Sequence, residues 1–461
     1  MIPTILSARR STTGSSSSTA LILTPQLTDL ASEDNHMHRM CATVEGGMTG
    51  SVVVVGAGLA GLRAAERLRA AGWAGPVTVI GSEPHPPYNR PPLTKTALRD
   101  GVDPEALAFR QRPSTADVEW RLGTTVRSAD LSERTVTLDD GSNLPYDGLV
   151  IATGVSARRL GLAAPRSWRH TVRTVEDAKA LREDLQDGSR VVIIGGGFIG
   201  CEVASTAVSL GCEVTVVEPL SVPLEGPAGP ALGAEIQRRH ESRGVRFRTG
   251  RTVVAMRREA AAEGRTTVEL DDGGRLVADV VVEAVGSTAN TGWLQGQGLD
   301  LTNGVLCDVD LHPLTAAGPL RDVVAIGDVA RFPVPMFRGM PCRIEHWTMP
   351  TEMAGHAARS LIAGVTGESV AGPAFNPLPT FWSDQYGTRI QSFGIPALGR
   401  DDVRVLEGDL TSEAVLGYHR ANTLVGVVLL GMAKQMITYR QALIDANPPA
   451  PATKLGREGT R

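Results

Sequence analysis

Residues 52–55 are four consecutive valines, a run too apolar for either face to be wet, which predicts a strand buried in a parallel sheet. Residues 191–194 (VVII) repeat the pattern, and each run opens into a glycine turn and a helical stretch, the first over 59–71. Apolar runs at 149–154 (LVIATG), 280–285 and 323–329 (VVAIGDV) predict further buried strands, each ending at a glycine. Shorter runs at 77–80 and 214–217 follow the two glycine helices, and strand-like pieces recur over 118–136, 245–247, 253–257 and 267–270. Residues 165–174 read as a crossing segment and 175–186 as a helix with acids near its start. Residues 344–347 (IEHW) are expected to begin a long helix running to about 363. Beyond 381, strands are expected at 390–395, 402–406, 414–419 and 424–430, and a helix over 433–444.

The two glycine turns share one spacing: Gly56, Gly58 and Gly61 in the first, Gly195, Gly197 and Gly200 in the second. In G-x-G-x-x-G the glycines supply a tight bend, a bare backbone beside a pyrophosphate, and close helix-to-strand packing. The helix behind each turn offers free N–H groups and a positive dipole end to phosphate. An acid follows each second strand, Glu83 in the first unit and Glu218 in the second, where a carboxylate accepts the hydroxyls of an adenosine ribose. Two dinucleotide sites in one chain imply electron transfer between two cofactors.

Other residues gather at the same ends of the strands. Ligands of open α/β sheets lie at the carboxyl ends of strands, which puts Ala152, Thr153 and Gly154 near a pyrophosphate and Gly286 at the close of the second unit. Asp328, directly after a strand and Gly327, is suited to accept a ribityl hydroxyl. The stretch PPYNRPPLTK at 86–95 is held out of a regular helix by its prolines. It carries Tyr88, Arg90 and Lys95, and the two cations could meet pyrophosphate and ring oxygens.

Composition narrows the rest. A chain of 461 residues has room for two to four domains, and a formal charge of −4 gives no footprint for nucleic acid. No run of apolar residues is long enough to span a membrane. Cys41, Cys201, Cys212, Cys307 and Cys342 show no C-x-x-C and no metal-ligand spacing, so no metal is expected and a reducing cytoplasm is. The same scatter argues against a flavin enzyme working through a disulfide. Cys201, just inside the second glycine helix, reads as a small packing residue rather than an activated thiol. Residues 1–47 are rich in serine and threonine and without periodicity, and are expected to be disordered and functionally silent, with Met48 a plausible true start.

In this order the motifs resemble the FAD-dependent, NADH-linked ferredoxin reductases of bacterial oxygenase and cytochrome P450 systems, relatives of apoptosis-inducing factor. The resemblance covers about 51–446 and rests on GAGLAG at 56–61, PYNRPPLTK at 87–95, ATG at 152–154, GGGFIGCE at 195–202, AIGDVA at 325–330, EHW at 345–347 and FWSDQY at 381–386. It implies an α/β fold of glutathione-reductase type with two Rossmann-like domains and a C-terminal α+β domain. FAD would take 48–163 with 287–371, NAD 164–286, and the third domain 372–446, before a polar tail at 447–461.

By that resemblance Gly56, Gly58, Gly61, Glu83, Arg90, Lys95, Ala152, Thr153, Gly154, Asp328 and Trp347 face FAD. Gly195, Gly197, Ile199, Gly200, Glu202, Glu218 and Gly286 face NADH. Lys95 would pair with Glu202 beside the flavin, and Trp347 would cover the ring where electrons leave, these three forming the catalytic set. Glu218 favours NADH over NADPH because a carboxylate repels a 2′-phosphate. Two stretches depart from the family: 221–227 (SVPLEGP) lacks the cation often found there, and 349–354 (MPTEMA) replaces an asparagine and glutamine pattern. The expected partner is a [2Fe–2S] or related small ferredoxin, docking near Trp347 on a monomer or weak homodimer. Other acceptors (quinone, ascorbyl radical, oxygen), a disulfide-type NADH oxidase or peroxidase, and a redox-responsive signalling role remain as alternative readings.

Overall fold

A computed structural model of the chain describes residues 50–258 and 265–448. The expectations for 1–47, for Cys41, and for all but the first two residues of the tail fall outside them.

The four valines Val52–Val55 are fully buried at the centre of a five-stranded parallel sheet. Val77–Gly81 and then Glu119–Leu122 lie on one side of that strand, and Gly148–Ile151 and Val323–Ala325 on the other. Such a strand needs cover on both faces. The helices Leu59–Ala70 and Met349–Thr366 supply part of it, with Ala64, Leu68, Met353 and Leu361 in the same core as the valines. A second parallel sheet orders Arg246–Thr249, Glu213–Glu218, Arg190–Ile194 and Val280–Glu283. Where the chain leaves the first unit and returns to it, residues 155–157 pair antiparallel with 287–289, and Thr153 Oγ1 and Asn290 Nδ2 each donate to the other residue's backbone carbonyl at 2.8 and 2.9 Å. The third body is an antiparallel sheet in the order Thr380–Gln385, Thr388–Gly394, Thr423–Leu430, Ala414–Arg420, Val403–Gly408, backed by Met436–Ala446.

Several expectations shift. Residues 344–347 are not helical; the helix starts at Met349, with Pro350 in its first turn, where a missing N–H leaves no hydrogen bond unmade. The strand Arg275–Ala278 (RLVA) is too short to register as an apolar run, and Thr380–Gln385 (TFWSDQ) carries too many polar residues to do so. The helix Glu225–Glu241 was hidden by its own composition. Gly229 (φ 78°) precedes Pro230 and kinks it, and the bend lets the backbone approach the third body, where Tyr418 Oη donates to the Ala228 carbonyl at 2.8 Å. The helix Val175–Asp184 starts where its acids suggested, through a capping box of Thr174 and Asp177. Among the described residues, no helix is long and apolar enough to cross a membrane.

Candidate functional site

The two glycine turns are built alike. Gly56 (φ 119°) and Gly195 (φ 102°) sit where a Cβ would run into a carbonyl oxygen, of Ala152 and Ala284 respectively. A Cβ on Gly61 or Gly200 would strike the carbonyl of Gly56 or Gly195, so these two hold helix against turn. Gly58 and Gly197 face open space, which leaves bare backbone at the N-terminus of each helix.

That open space belongs to one cavity of about 1480 Å³, larger than the roughly 300–1,000 Å³ of an ordinary small-molecule site. Gly56, Gly58, Glu83, Arg90, Lys95, Ala152, Thr153, Gly154, Asp328 and Trp347 line it from the first unit. Gly197, Ile199, Glu202 and Gly286 line it from the second. Gly61, Gly195, Gly200 and Glu218 are not at its surface; they shape the turns from behind.

The two acids are not equivalent. Gly56 donates to the Ile80 carbonyl (2.7 Å) and Gly195 to that of Val217 (2.8 Å), so the register aligns Glu218 with Gly81, and Glu83 lies two residues further on. Glu218 Oε2 accepts the Gly196 N–H at 2.6 Å and Oε1 the Leu220 N–H at 2.9 Å, so the carboxylate is fixed under its own glycine turn. Glu83 instead accepts from Tyr88 Oη and Arg90, each at 2.5 Å. Arg90 also donates to the Arg173 carbonyl at 2.6 Å and lies over the Tyr88 ring, which ties the proline-rich loop to the crossing segment.

Lys95 Nζ lies 2.6 Å from Glu202 Oε2. The Glu202 carboxylate, buried on the second glycine helix just past its first turn, also accepts from Thr94 Oγ1 and Ser383 Oγ, each at 2.6 Å. One carboxylate thus joins the proline-rich loop, the second unit and the C-terminal sheet. Trp347 is partly exposed, donates from Nε1 to Asn89 at 2.9 Å and packs edge-on against Trp382. Asp328 pairs with Arg173 at 3.1 Å, and burial pushes its carboxyl above the usual range while Arg173 pulls the other way. His346, lining the cavity beside Phe381, is pushed down to about 4 by burial, so it is neutral near pH 7.

Sequence reasoning missed Arg173, Asn89, Thr94 and Ser383. Each makes its contact through residues distant in sequence, and none shows a local signal. Cys201 is fully buried, and burial raises its thiol further, as suits a packing residue. The loop 221–227 carries no cation, and Glu225, the first residue of the helix that follows, folds back to accept from Ser221 and Val222.

Bare glycine backbone at two helix N-termini, guanidinium groups nearby and a buried carboxyl acceptor fit the phosphates and hydroxyls of dinucleotides. Residues 50–354 match the family model described as pyridine nucleotide-disulphide oxidoreductase, and 380–459 match reductase C-terminal. The chain is 39% identical over 361 residues to the anthranilate 1,2-dioxygenase system ferredoxin–NAD(+) reductase component of Burkholderia cepacia, covering 77% of this chain and 84% of that one. It is 32% identical over 409 residues to putidaredoxin reductase of Pseudomonas putida, covering 87% and 93%. The crystal structure of a covalent putidaredoxin reductase–putidaredoxin complex superposes with a TM-score of 0.78 at 31% identity, covering 89% of this chain and 96% of that one. The chain belongs to the pyridine nucleotide-disulphide oxidoreductase family and is an oxidoreductase using FAD and NAD(H). Within that family it falls among the ferredoxin–NAD+ reductases.

Proposed function

We propose that this protein passes electrons from NADH through FAD to a small iron–sulfur ferredoxin, of [2Fe–2S] or related type, that supplies an oxygenase or cytochrome P450. The observation that carries this is the single cavity onto which both glycine turns open, along which Cys342 is the one cysteine among the described residues. FAD, when bound, supplies the conversion from a two-electron hydride donor to a one-electron acceptor.

The rest falls to the chain. Gly56, Gly58 and Gly61 would admit the FAD pyrophosphate, with Ala152, Thr153 and Gly154 along its other side. Glu83 would hold Arg90 towards it at the adenosine end, and Asp328 would accept from the ribityl hydroxyls. Lys95, paired with Glu202, would set the electrostatics beside the ring, and Trp347 would close the face from which electrons leave. Gly197, Ile199, Glu202 and Gly286 would hold the nicotinamide nucleotide, with Gly195 and Gly200 shaping the turn from behind and Glu218 behind it favouring NADH. The division into 48–163 with 287–371, 164–286 and 372–446 is supported by sheet membership, since residues 323–325 pair with 149–151 across the intervening unit. A monomer or weak homodimer in the cytoplasm suits the partner.

Anaerobic stopped-flow mixing of the FAD-loaded protein with NADH and NADPH tests this, followed by cytochrome c reduction with and without added ferredoxins. Fast bleaching by NADH, slow bleaching by NADPH and ferredoxin-dependent turnover are expected. Equal turnover with quinone or oxygen alone would overturn the ferredoxin assignment. A long-lived charge-transfer band with altered oligomeric state and negligible turnover would point to signalling instead.

A further inference from the structure

Glu202 is the inner end of a buried hydrogen-bonded chain that leaves the main cavity altogether. Ser383 Oγ donates to Glu202 Oε1 at 2.6 Å, and Gln385 Nε2 donates to Ser383 Oγ at 3.1 Å. Gln385 Oε1 lies 2.9 Å from His240 Nε2, and His240 Nδ1 lies 3.2 Å from Tyr386 Oη. Ser383 and Gln385 are two apart on the strand Thr380–Gln385 and so share a face, while His240 comes from the kinked helix of the NAD half. Ser383, Gln385, His240 and Glu202 are all buried, and none of their buried polar atoms lacks a partner.

The chemistry fixes the sense of every link. A carboxylate can only accept, so Ser383 donates to it and takes the Gln385 amide N–H on its own oxygen. The Gln385 oxygen must then receive the Nε2–H of His240. This selects one tautomer and leaves Nδ1 to accept from Tyr386. The histidine is neutral, because burial lowers its pKa and Arg243, stacked over the Tyr386 ring at 4.7 Å, works in the same direction. Four dipoles in series therefore present their positive ends towards Glu202. The outer end, Tyr386, lines a second cavity of about 280 Å³ with Arg238, Arg239 and Arg243.

We propose that Ser383, Gln385 and His240 are positioning residues for electron transfer: they hold the Glu202 carboxylate, and through it Lys95, from the C-terminal body. The proposal rests on the reading that the Lys95–Glu202 pair lies beside the flavin. Removing the Ser383 hydroxyl takes the donor on Oε1 away from Glu202, so more uncompensated negative charge faces the reduced flavin and the potential falls.

The test uses the FAD-loaded full chain, reading the flavin reduction potential by dye equilibration and the rate of reduction by NADH. Ser383→Ala is expected to lower the potential and slow reduction about threefold, with half-saturation by NADH unchanged. Ser383→Thr keeps the donor and is expected to restore both. His240→Leu lies outside the main cavity and is expected to shift the potential in the same direction by less. It also covers the case in which Ser383→Ala fails to retain flavin. If Ser383→Ala and His240→Leu both match the wild type while Glu202→Gln moves potential and rate, the chain has no part in electron transfer. If Glu202→Gln moves neither, the placement of the pair beside the flavin falls, and the proposal with it.

Discussion

The two glycine turns have superposable sterics and opposite surroundings. Both need glycine at the tight bend and at the helix contact, and both leave the middle glycine facing open space. Glu218, however, spends its hydrogen bonds on the backbone of its own turn, whereas Glu83 spends them on Tyr88 and Arg90 of a neighbouring loop. The motif therefore builds a phosphate-sized gap, and the elements around it decide what else the occupant meets. The second turn is nearly self-contained. The first is one wall of a site finished by residues 86–95, 173 and 328.

Substitution at the bends should separate the two most sharply. Gly56→Ala places a Cβ against the Ala152 carbonyl at a φ hostile to side chains, and loss of bound flavin is expected in the purified protein's visible spectrum. Gly195→Ala makes the same clash in the second unit, yet flavin should be retained while reduction at a fixed NADH concentration slows on the order of 100-fold. Flavin loss from the second variant instead would show that the two sites are assigned backwards.

The acids sharpen the contrast. Glu218→Ala should raise the KM for NADH about 30-fold with flavin content intact, whereas Glu83→Ala should leave that KM alone and weaken flavin retention on dialysis. Lys95→Ala removes the cation paired with Glu202, and hydride transfer should slow about tenfold with a shifted flavin potential. Unchanged values for both would reduce Lys95 to a structural cation.

The smallest effect concerns pH. His346 has its folded pKa depressed to about 4, so the unfolded chain binds its proton first as the pH falls. The stability it supports is present above about pH 6.5 and is lost progressively down to about 4. The thermal midpoint should fall across that window, and His346→Gln should flatten the fall.

Much of the frame was legible because a buried parallel strand reads as a nearly continuous apolar run and a phosphate turn needs glycine at fixed places. Val52–Val55, Arg190–Ile194 and Val280–Glu283 announce themselves in this way. The Glu83 and Glu218 offset was not legible, since spacing along the chain does not reveal that Gly81 and Glu218 share a register. Thr380–Gln385 does not show as a strand in the sequence, because it mixes a buried serine and glutamine with aromatic residues at the cavity. The helix Glu225–Glu241 was concealed by the glycine and proline that kink it. Arg173, Asn89, Thr94 and Ser383 depend on partners brought together only by tertiary structure, where local periodicity carries no information.

The pairing of Val323–Ala325 with Gly148–Ile151 also bears on how the protein is made. As the chain leaves the ribosome, the first sheet keeps an open hydrophobic edge at residues 148–151 until residue 323 has been synthesised. The inserted second sheet, with its strands closer in sequence, can close earlier. During that interval the unpaired edge at 148–151 is open to mispairing with any other strand, which is the cost of building the flavin half from two distant stretches of chain.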